Sequence, residues 1–456
     1  MSGTTDGNRP MPVRLSALIV NYESGALARA CVDSLRGEWQ REGLAPERLE
    51  IILVDNASPT DQAEHLAALE ADGVRVLQES ANHGYGGGMN RALAVSTGGP
   101  LDVVAVLNPD TVFLPGSLAP LLRTLALHPD CGAVGPRTSV DPAGLLELPP
   151  LPRPTAAEEA GAALAHLFPA WARRRSRRRT ETARRRWTSQ HPEDVEMLSG
   201  CCLFLRRDTL LQLERETGHE LFDPSYPLYY EDADLCARLR SLGLRLVLQG
   251  NARIVHHWSR SAGHAQRFAE VAGPRLARSR ARWQARHFKA HARRLTAYLE
   301  KLAARRAASG GSPAAHALTE LGSLTAAPRL SWRGARPHVF EISLSPAFTL
   351  AAGSVGLGSS MTLPPQAWEW LFPARYFVRV TERGTSRLLG AWSFIKLDEA
   401  RERPLSPAEY DAPKTSPASA HPTPSEPLAA TPDTRSALPA DHEPPSPALP
   451  GRLAPV

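Results

Sequence analysis

The sequence predicts an α/β fold: a parallel sheet with crossover helices, then basic helices, a small β-sandwich and a disordered tail rich in Pro, Ala and Ser. Two observations carry this. From Arg14 to Pro136 short apolar runs alternate with helical stretches, the β-α-β-α repetition of parallel sheets. Past Gly310 short strand candidates are separated by Gly, Pro and Ser, and past Arg403 apolar anchors are scarce, as in chains that cannot bury a core.

The first strand candidate is "LSALIVNY", followed by helical "ALARACVDSLRGEW"; "LEIILVDNAS" leads to helical "DQAEHLAALEAD", and "VRVLQES" to "YGGGMNRALAVS". Next comes "VVAVLNPDT", Val103 to Thr111, whose unbroken aliphatic run marks a central strand covered on both faces. Its end admits two readings. Asn108, Pro109 and Asp110 are turn formers, and they also stand where open α/β sheets bind ligands, at the carboxyl end of a strand. "EMLSGCCLFLRRDTLLQL" adds a strand and a helix, and "EDADLCARLRSLGLRLVLQG" a helix and a strand. One domain spanning 13–265 accounts for all of these, after a flexible N-terminus at 1–12.

A basic helical extension follows at 266–309, where Leu295, Tyr298, Leu299 and Leu302 share one helical face. A linker at 310–325 precedes the sandwich at 326–397, in which Tyr376, Val378 and Val380 alternate with Phe377, Arg379 and Thr381. This segment resembles a fibronectin type III domain through "LSW" at Leu330 to Trp332, "FEIS", "YFVRV" and "WSF". Residues 398–456 form the disordered tail.

The 456 residues contain no stretch near the roughly 20 apolar residues needed to span a bilayer. The polar start, "MSGTTDGNRPMPVRL", lacks the apolar core of a signal peptide, so a cytoplasmic protein is expected. Five cysteines form no CxxC pattern and no even disulfide framework, which suits reduced core thiols. The net charge of +6 is unevenly spread: arginine is concentrated at Trp171 to Trp187 and again at Arg275 to Leu295. Such clusters suit sugar pyrophosphates or an acidic membrane surface, or are simply solvated faces. With no recognition motif beside them, no nucleic-acid partner is expected.

Strands one and two end in "IVNYES" and "ILVDNASPTD", and "NHGYGGGMNRA" follows the third, so all three converge on one crevice. Glycines 84, 86, 87 and 88 permit close backbone approach, and the following helix start favours phosphate. The position after the third strand differs from that of the Rossmann fingerprint.

Taken in order, "VNY", "VDNASPTD", "NHGYGGGMNRA", "LNPD", "SGCCLF", "YYEDADLCARLR" and "HHWSRS" resemble the motifs of family 2 glycosyltransferases, in their rhamnosyltransferase-like branch, over Val13 to Ser261. The resemblance implies a GT-A fold, a nucleotide-diphosphate-sugar donor of dTDP or UDP type, Mg2+ or Mn2+, and inversion at the anomeric carbon. It makes Asp110 the metal ligand, with Asn108 standing where many relatives have a first aspartate, and His256, in preference to His257, a further ligand. Asp232 becomes the general base and Glu231 its tuning or acceptor-orienting neighbour, although acidic residues at a helix start also serve the helix dipole. Tyr22 would stack on the donor base and Asp55 accept from its ring N–H, while Asn82, His83 and Asn90 meet ribose or sugar hydroxyls beside Gly84 and Gly87. The implied acceptor is a saccharide or lipid-linked saccharide in surface polysaccharide synthesis, reached at the inner face of the membrane, with rhamnose the first choice of sugar. Two other classes share the same motifs less well: a nucleotidyltransferase making a sugar nucleotide, and a non-catalytic binding scaffold.

Overall fold

A computed structural model of the chain describes residues 14–149, 151–219, 221–257, 273–308, 316–348 and 350–397. The N-terminus at 1–12, the serines of "HHWSRS", the boundary at 265 and the tail at 398–456 lie outside the described residues.

The first half alternates as the sequence predicts: β1 (Leu15–Asn21), α1 (Gly25–Arg41), β2 (Leu49–Asp55), α2 (Ala63–Ala71), β3 (Arg75–Gln78), α3 (Gly84–Val95) and β4 (Val103–Leu107). Then come β5 (Thr111–Phe113), α4 (Leu118–Leu127), β6 (Cys131–Ser139), α5 (Ala156–Leu167), α6 (Pro169–Thr188), β7 (Pro192–Val195), β8 (Cys202–Arg206), α7 (Arg207–Thr217), α8 (Glu231–Ser241) and β9 (Arg245–His256). The nine strands share one sheet of order β3-β2-β1-β4-β8-β6-β9-β5, with β7 beside β9.

The sheet is mixed where a parallel one was expected. β3, β2, β1 and β4 run parallel, but β8 lies antiparallel between β4 and β6. No crossover helix leads into β8; the chain enters it from the α5–α6 excursion and β7, and an antiparallel neighbour needs no crossover. β4 is buried along its length, and its alternation feeds two cores: Val103, Ala105 and Leu107 on the α1/α4 side, Val104 and Val106 on the α3/α7/α8 side. In register, Asn21 lies beside Asp55 and Ile19 beside Leu107. The carboxyl ends of β1, β2 and β4 therefore open on one edge.

The arginine-rich run folds as α6, with Pro169 at its first turn, where a missing N–H costs nothing. Its buried positions, Ala172, Ser176, Thr180, Ala183 and Trp187, recur at helical spacing. Arg175 and Arg179 turn to Glu158, and Arg184 to Glu181.

The basic extension contains two helices, α9 (Gly273–His287) and α10 (Ala290–Ala308). They precede β10 (Thr319–Leu324), β11 (Leu330–Ser343), β12 (Ala352–Met361), α11 (Pro365–Trp370), β13 (Arg375–Glu382) and β14 (Leu388–Lys396). β10 falls inside the stretch read as a linker. The candidates at "LSW" and "FEIS" are one strand, β11, and in place of a sandwich β10 joins the others in one sheet, β10-β14-β13-β11-β12, antiparallel except for β10 with β14. One face, with Phe340, Ile342, Tyr376, Val378 and Val380, packs on α11 and on Leu146 of the first domain. The opposite face is not wet. Arg379 and Glu341 are 2% and 3% exposed, ion-paired at 2.7 Å, and bonded to Thr180 of α6. A helix takes the place of solvent, or of a second sheet, on that side.

Candidate active site

A cavity of about 380 Å³ opens at the ends of β1, β4 and β9 and the starts of α3 and α8. β5 pairs with β9 so that Thr111 stands opposite His256, which brings His256 beside Asp110. Asp110 Oδ1 lies 3.3 Å from His256 Nε2, and Asn108 Nδ2 lies 3.1 Å from the same ring nitrogen. The His257 N–H donates to the Asp110 carbonyl at 2.9 Å. Burial pushes the Asp110 carboxyl up, but the adjacent His256 charge outweighs it and holds the group below its ordinary value. Burial likewise opposes a charge on His256, and Asp110 overrides it to raise that imidazole well above normal. His257 turns elsewhere, its ring 4.3 Å from that of Trp370.

No group of three or more His, Cys, Asp or Glu is gathered for a metal among the described residues. The set present is smaller: Asp110, whose buried Oδ1 faces the His256 ring nitrogen, and His256. Magnesium-like cations are held by one or two carboxylates plus substrate phosphates and water, so this incomplete donor set fits a cation shared with a diphosphate.

Across the cavity, the chain enters α8 through Tyr229 and Tyr230 at φ 61° and 66°, a left-handed pair that costs free energy in non-glycine residues and concentrates at functional sites. The turn presents Glu231 and Asp232. Asp232 accepts from the Gly200 N–H at 3.1 Å and the Ala233 N–H at 2.8 Å. A Cβ on Gly200 would stand 3.1 Å from that of Asp232, so glycine permits the approach. Burial raises the Asp232 carboxyl, and those N–H donors work against the rise. Glu231 is 5% exposed, with Oε2 unbonded; burial and the neighbouring Asp232 charge push it well above its ordinary value. Two carboxyls with separated environments suit proton transfer. Asp234, on the same turn, is engaged by Arg238 at 2.7 Å and Arg286 at 3.2 Å and serves the fold.

Tyr22, Asn82, Gly84 and Asn108 line the cavity as well. Asp55, Gly87 and Asn90, expected beside the donor, are not among its lining residues. Asp55 accepts from Asn21 Nδ2 at 2.7 Å and Ser58 Oγ at 2.6 Å. Asn90 clasps the Phe222 backbone through both amide atoms. Gly87 lies in α3, for the glycine segment is helix and not an open loop. The glycines act there as spacers: Gly84, at φ 75°, would put a Cβ 2.5 Å from the Pro227 carbonyl, and Gly88 one 2.8 Å from Val20.

Several lining residues escaped the sequence reading. Asn56 donates to the Gly84 carbonyl at 2.9 Å and accepts from the His83 N–H, and Tyr85 donates to the Gly200 carbonyl at 2.8 Å. Asn56 follows directly on Asp55 in "VDNAS", which was the available signal. Arg186, Trp187, Arg275 and Leu350 reach the cavity from α6, α9 and the second sheet, and nothing local in the sequence announces that.

The family model described as Glycosyl transferase family 2 matches residues 16–210. The chain is 34% identical over 271 residues to the N-acetylglucosaminyl-diphospho-decaprenol L-rhamnosyltransferase of Mycobacterium tuberculosis, in strains H37Rv and CDC 1551; the match covers 55% of this chain and 78% of the relative. Among solved structures it is similar to GalNAc-T7 with UDP, GalNAc and Mn2+, with a TM-score of 0.38, 13% identity, and coverage of 82% of this chain and 67% of that one. It is also similar to the mannosyltransferase PcManGT from Pyrobaculum calidifontis with GDP-Man and Mn2+, with a TM-score of 0.36, 15% identity, and coverage of 67% and 80%.

Proposed function

The chain belongs to glycosyl transferase family 2 and is a GT-A-fold glycosyltransferase; within that family we propose that it is an inverting, metal-dependent rhamnosyltransferase acting on a lipid-linked saccharide. The observation that carries the reading is that one cavity is lined both by Asp110 with His256 and by Asp232.

Asp232 takes the proton from an acceptor hydroxyl, and that oxygen attacks the anomeric carbon of the donor from the side away from the diphosphate. The bond from that carbon to the diphosphate oxygen breaks, and the nucleoside diphosphate leaves with the electron pair. Glu231, buried beside Asp232 with its carboxyl raised well above its ordinary value, orients the acceptor hydroxyl and keeps the base poised. Asp110 and His256 would hold Mg2+ or Mn2+, which supplies charge neutralisation for the departing diphosphate. Asn108 contributes one charge fewer than an aspartate there, so these residues alone would hold the cation weakly, and donor phosphates would strengthen its binding. Tyr22 stacks on the base of a dTDP or UDP donor, and Asn56 and Asn82 meet its hydroxyls.

The lipid-linked acceptor is supported by the relative, whose name specifies a diphospho-decaprenol substrate. No helix of the described residues is long and apolar enough to cross a membrane. Arg173, Arg174, Arg177 and Arg178 are exposed on α6 and form no ion pair among the described residues, beside Phe168 and Trp171 at 56% and 42% exposure. Basic side chains next to exposed aromatics suit an acidic membrane surface.

Calorimetry of thymidine, uridine and guanosine diphosphate sugars, with and without Mg2+ or Mn2+, tests the reading. One thymidine or uridine donor should bind in a metal-dependent way and lose that dependence in Asp110→Ala. Equal donor binding with and without metal in both proteins would contradict it.

A further inference from the structure

The cavity has two chemically different halves. Beyond the Asp110 and Asp232 half, its wall is formed by Leu148, Pro149, Leu151, Leu248, Leu350 and Trp187. The first five are only half-buried, so they leave apolar surface facing the cavity. Such surface costs free energy roughly in proportion to its area, and a contiguous apolar lining marks a binding site.

This wall is built from distant parts of the chain and firmly tied. Glu147 and Gly353 exchange backbone hydrogen bonds at 2.9 Å in both directions, joining the Leu148 strand end to the second sheet. Arg137 of β6 forms a buried ion pair with Glu147 and donates to the Trp187 carbonyl. Trp187 Nε1 donates to the Leu148 carbonyl at 3.2 Å, and its ring fits where Gly353 has no side chain. The second sheet thus supplies part of the cavity wall, Leu350 included. Three arginines line the cavity: Arg137, already paired with Glu147; Arg186, 3.7 Å at its nearest from Glu193; and Arg275, which forms no ion pair with a described residue.

We infer that the apolar half of the cavity holds the first isoprenoid units of the lipid-linked acceptor, with Arg186 and Arg275 attending its diphosphate while its sugar faces Asp232. A free saccharide would cover little of an aliphatic wall of four leucines and a proline, and a bare lipid offers nothing to the arginines. An amphiphile with an anionic joint between sugar and chain satisfies both. The inference rests on the lipid-linked acceptor of the proposed function and adds where its chain lies.

The test measures transfer at saturating donor to acceptors that share one sugar-diphosphate head and carry a methyl, a ten-carbon or a fifteen-carbon isoprenoid group, below their micelle concentrations. KM should fall about tenfold or more from methyl to the fifteen-carbon chain, with kcat nearly constant. Leu350→Asp and Leu151→Asp should bring the ratio of the two KM values close to one, while Leu357→Asp, at a site 77% exposed, should leave it unchanged. A wild-type KM independent of chain length, or variants that shift both acceptors alike, overturns the inference while the glycosyltransferase reading stands. Absence of transfer to every acceptor would instead overturn the acceptor reading. In that event calorimetry decides separately: farnesyl diphosphate should bind more tightly than inorganic diphosphate to the wild type, and equal affinities would overturn the chain site.

Discussion

Asp110 Oδ1 and His256 Nε2 lie 3.3 Å apart, although 146 positions separate them in sequence, because β5 and β9 pair with Thr111 opposite His256. The neighbouring His257 points at Trp370 instead. Adjacent histidines on a strand end therefore have opposite duties.

His256→Ala should abolish metal-dependent strengthening of donor binding, with a loss on the order of tenfold to a hundredfold, and should also lower Tm, because it leaves Asp110 buried and unpaired. His257→Ala should lower Tm through its lost packing while retaining the metal effect. Calorimetry and thermal unfolding on both variants check this; the reverse assignment would contradict the Asp110 centre.

Asp232→Asn should cut kcat by about 10²–10⁴-fold, the range for loss of a positioned base, and leave donor affinity intact. The base must be ionised to act, and burial holds its carboxyl above the ordinary aspartate value of 3.8. Activity should therefore fall, as pH is lowered, at a higher pH than an exposed aspartate would impose. A kcat profile with its acid limb at or below that ordinary value would contradict the burial argument.

Glu231→Gln should stabilise the protein while slowing it. The native carboxyl is raised well above the unfolded value, so the native state holds its proton more tightly, and stability is lost as pH rises from the ordinary glutamate range through the native value. Glutamine removes that loss. The Tm gain over wild type should be near zero at pH 4 and grow towards pH 8, at about 2–4 °C per kcal/mol relieved. An offset independent of pH would contradict this origin.

Arg379→Met leaves Glu341 buried and unpaired between the second sheet and α6, which should cost about 3–5 kcal/mol. Adding Glu341→Leu should recover most of it. Denaturant unfolding of the two variants checks this, and equal destabilisation would show the pair to be dispensable.

Gly84→Ala should be destabilising by about 1–3 kcal/mol for its left-handed backbone alone, with a further cost from the 2.5 Å approach to the Pro227 carbonyl. Chemical denaturation measures it. Gly87→Ala, in regular helix, has only the His83 side chain to displace and should cost less.

Much of the site was legible because it sits at strand ends. β1, β2 and β4 announce themselves as apolar runs, and the residues just past them, Tyr22, Asn108 and Asp110, follow the rule that ligands gather at that edge. Asp55 shows the limit: one position earlier than Asn56, it belongs to the strand and bonds Asn21 and Ser58 in place of the cavity. The glycines have a packing role that sequence does not separate from a binding one. Small residues that let α3 pack against Pro227, Phe222 and Val20 look, in one dimension, the same as a phosphate-cradling loop. The antiparallel insertion of β8 and the arrival of Trp187 and Leu350 depend on long-range pairings, Val134 with Phe204 and Glu147 with Gly353 among them, which no local period encodes. Arg379 alternates with core residues and so reads as solvent-facing; only the presence of α6 on that face makes it buried.

The most direct measurement is product analysis with a thymidine diphosphate-rhamnose donor, a metal ion and a lipid-linked N-acetylglucosamine diphosphate acceptor, comparing wild type with Asp232→Asn. The account predicts free nucleoside diphosphate and a new glycoside whose anomeric configuration, read by NMR, is opposite to that of the donor, both lost in the variant. Pyrophosphate as product, retained configuration, or undiminished turnover in Asp232→Asn would contradict it.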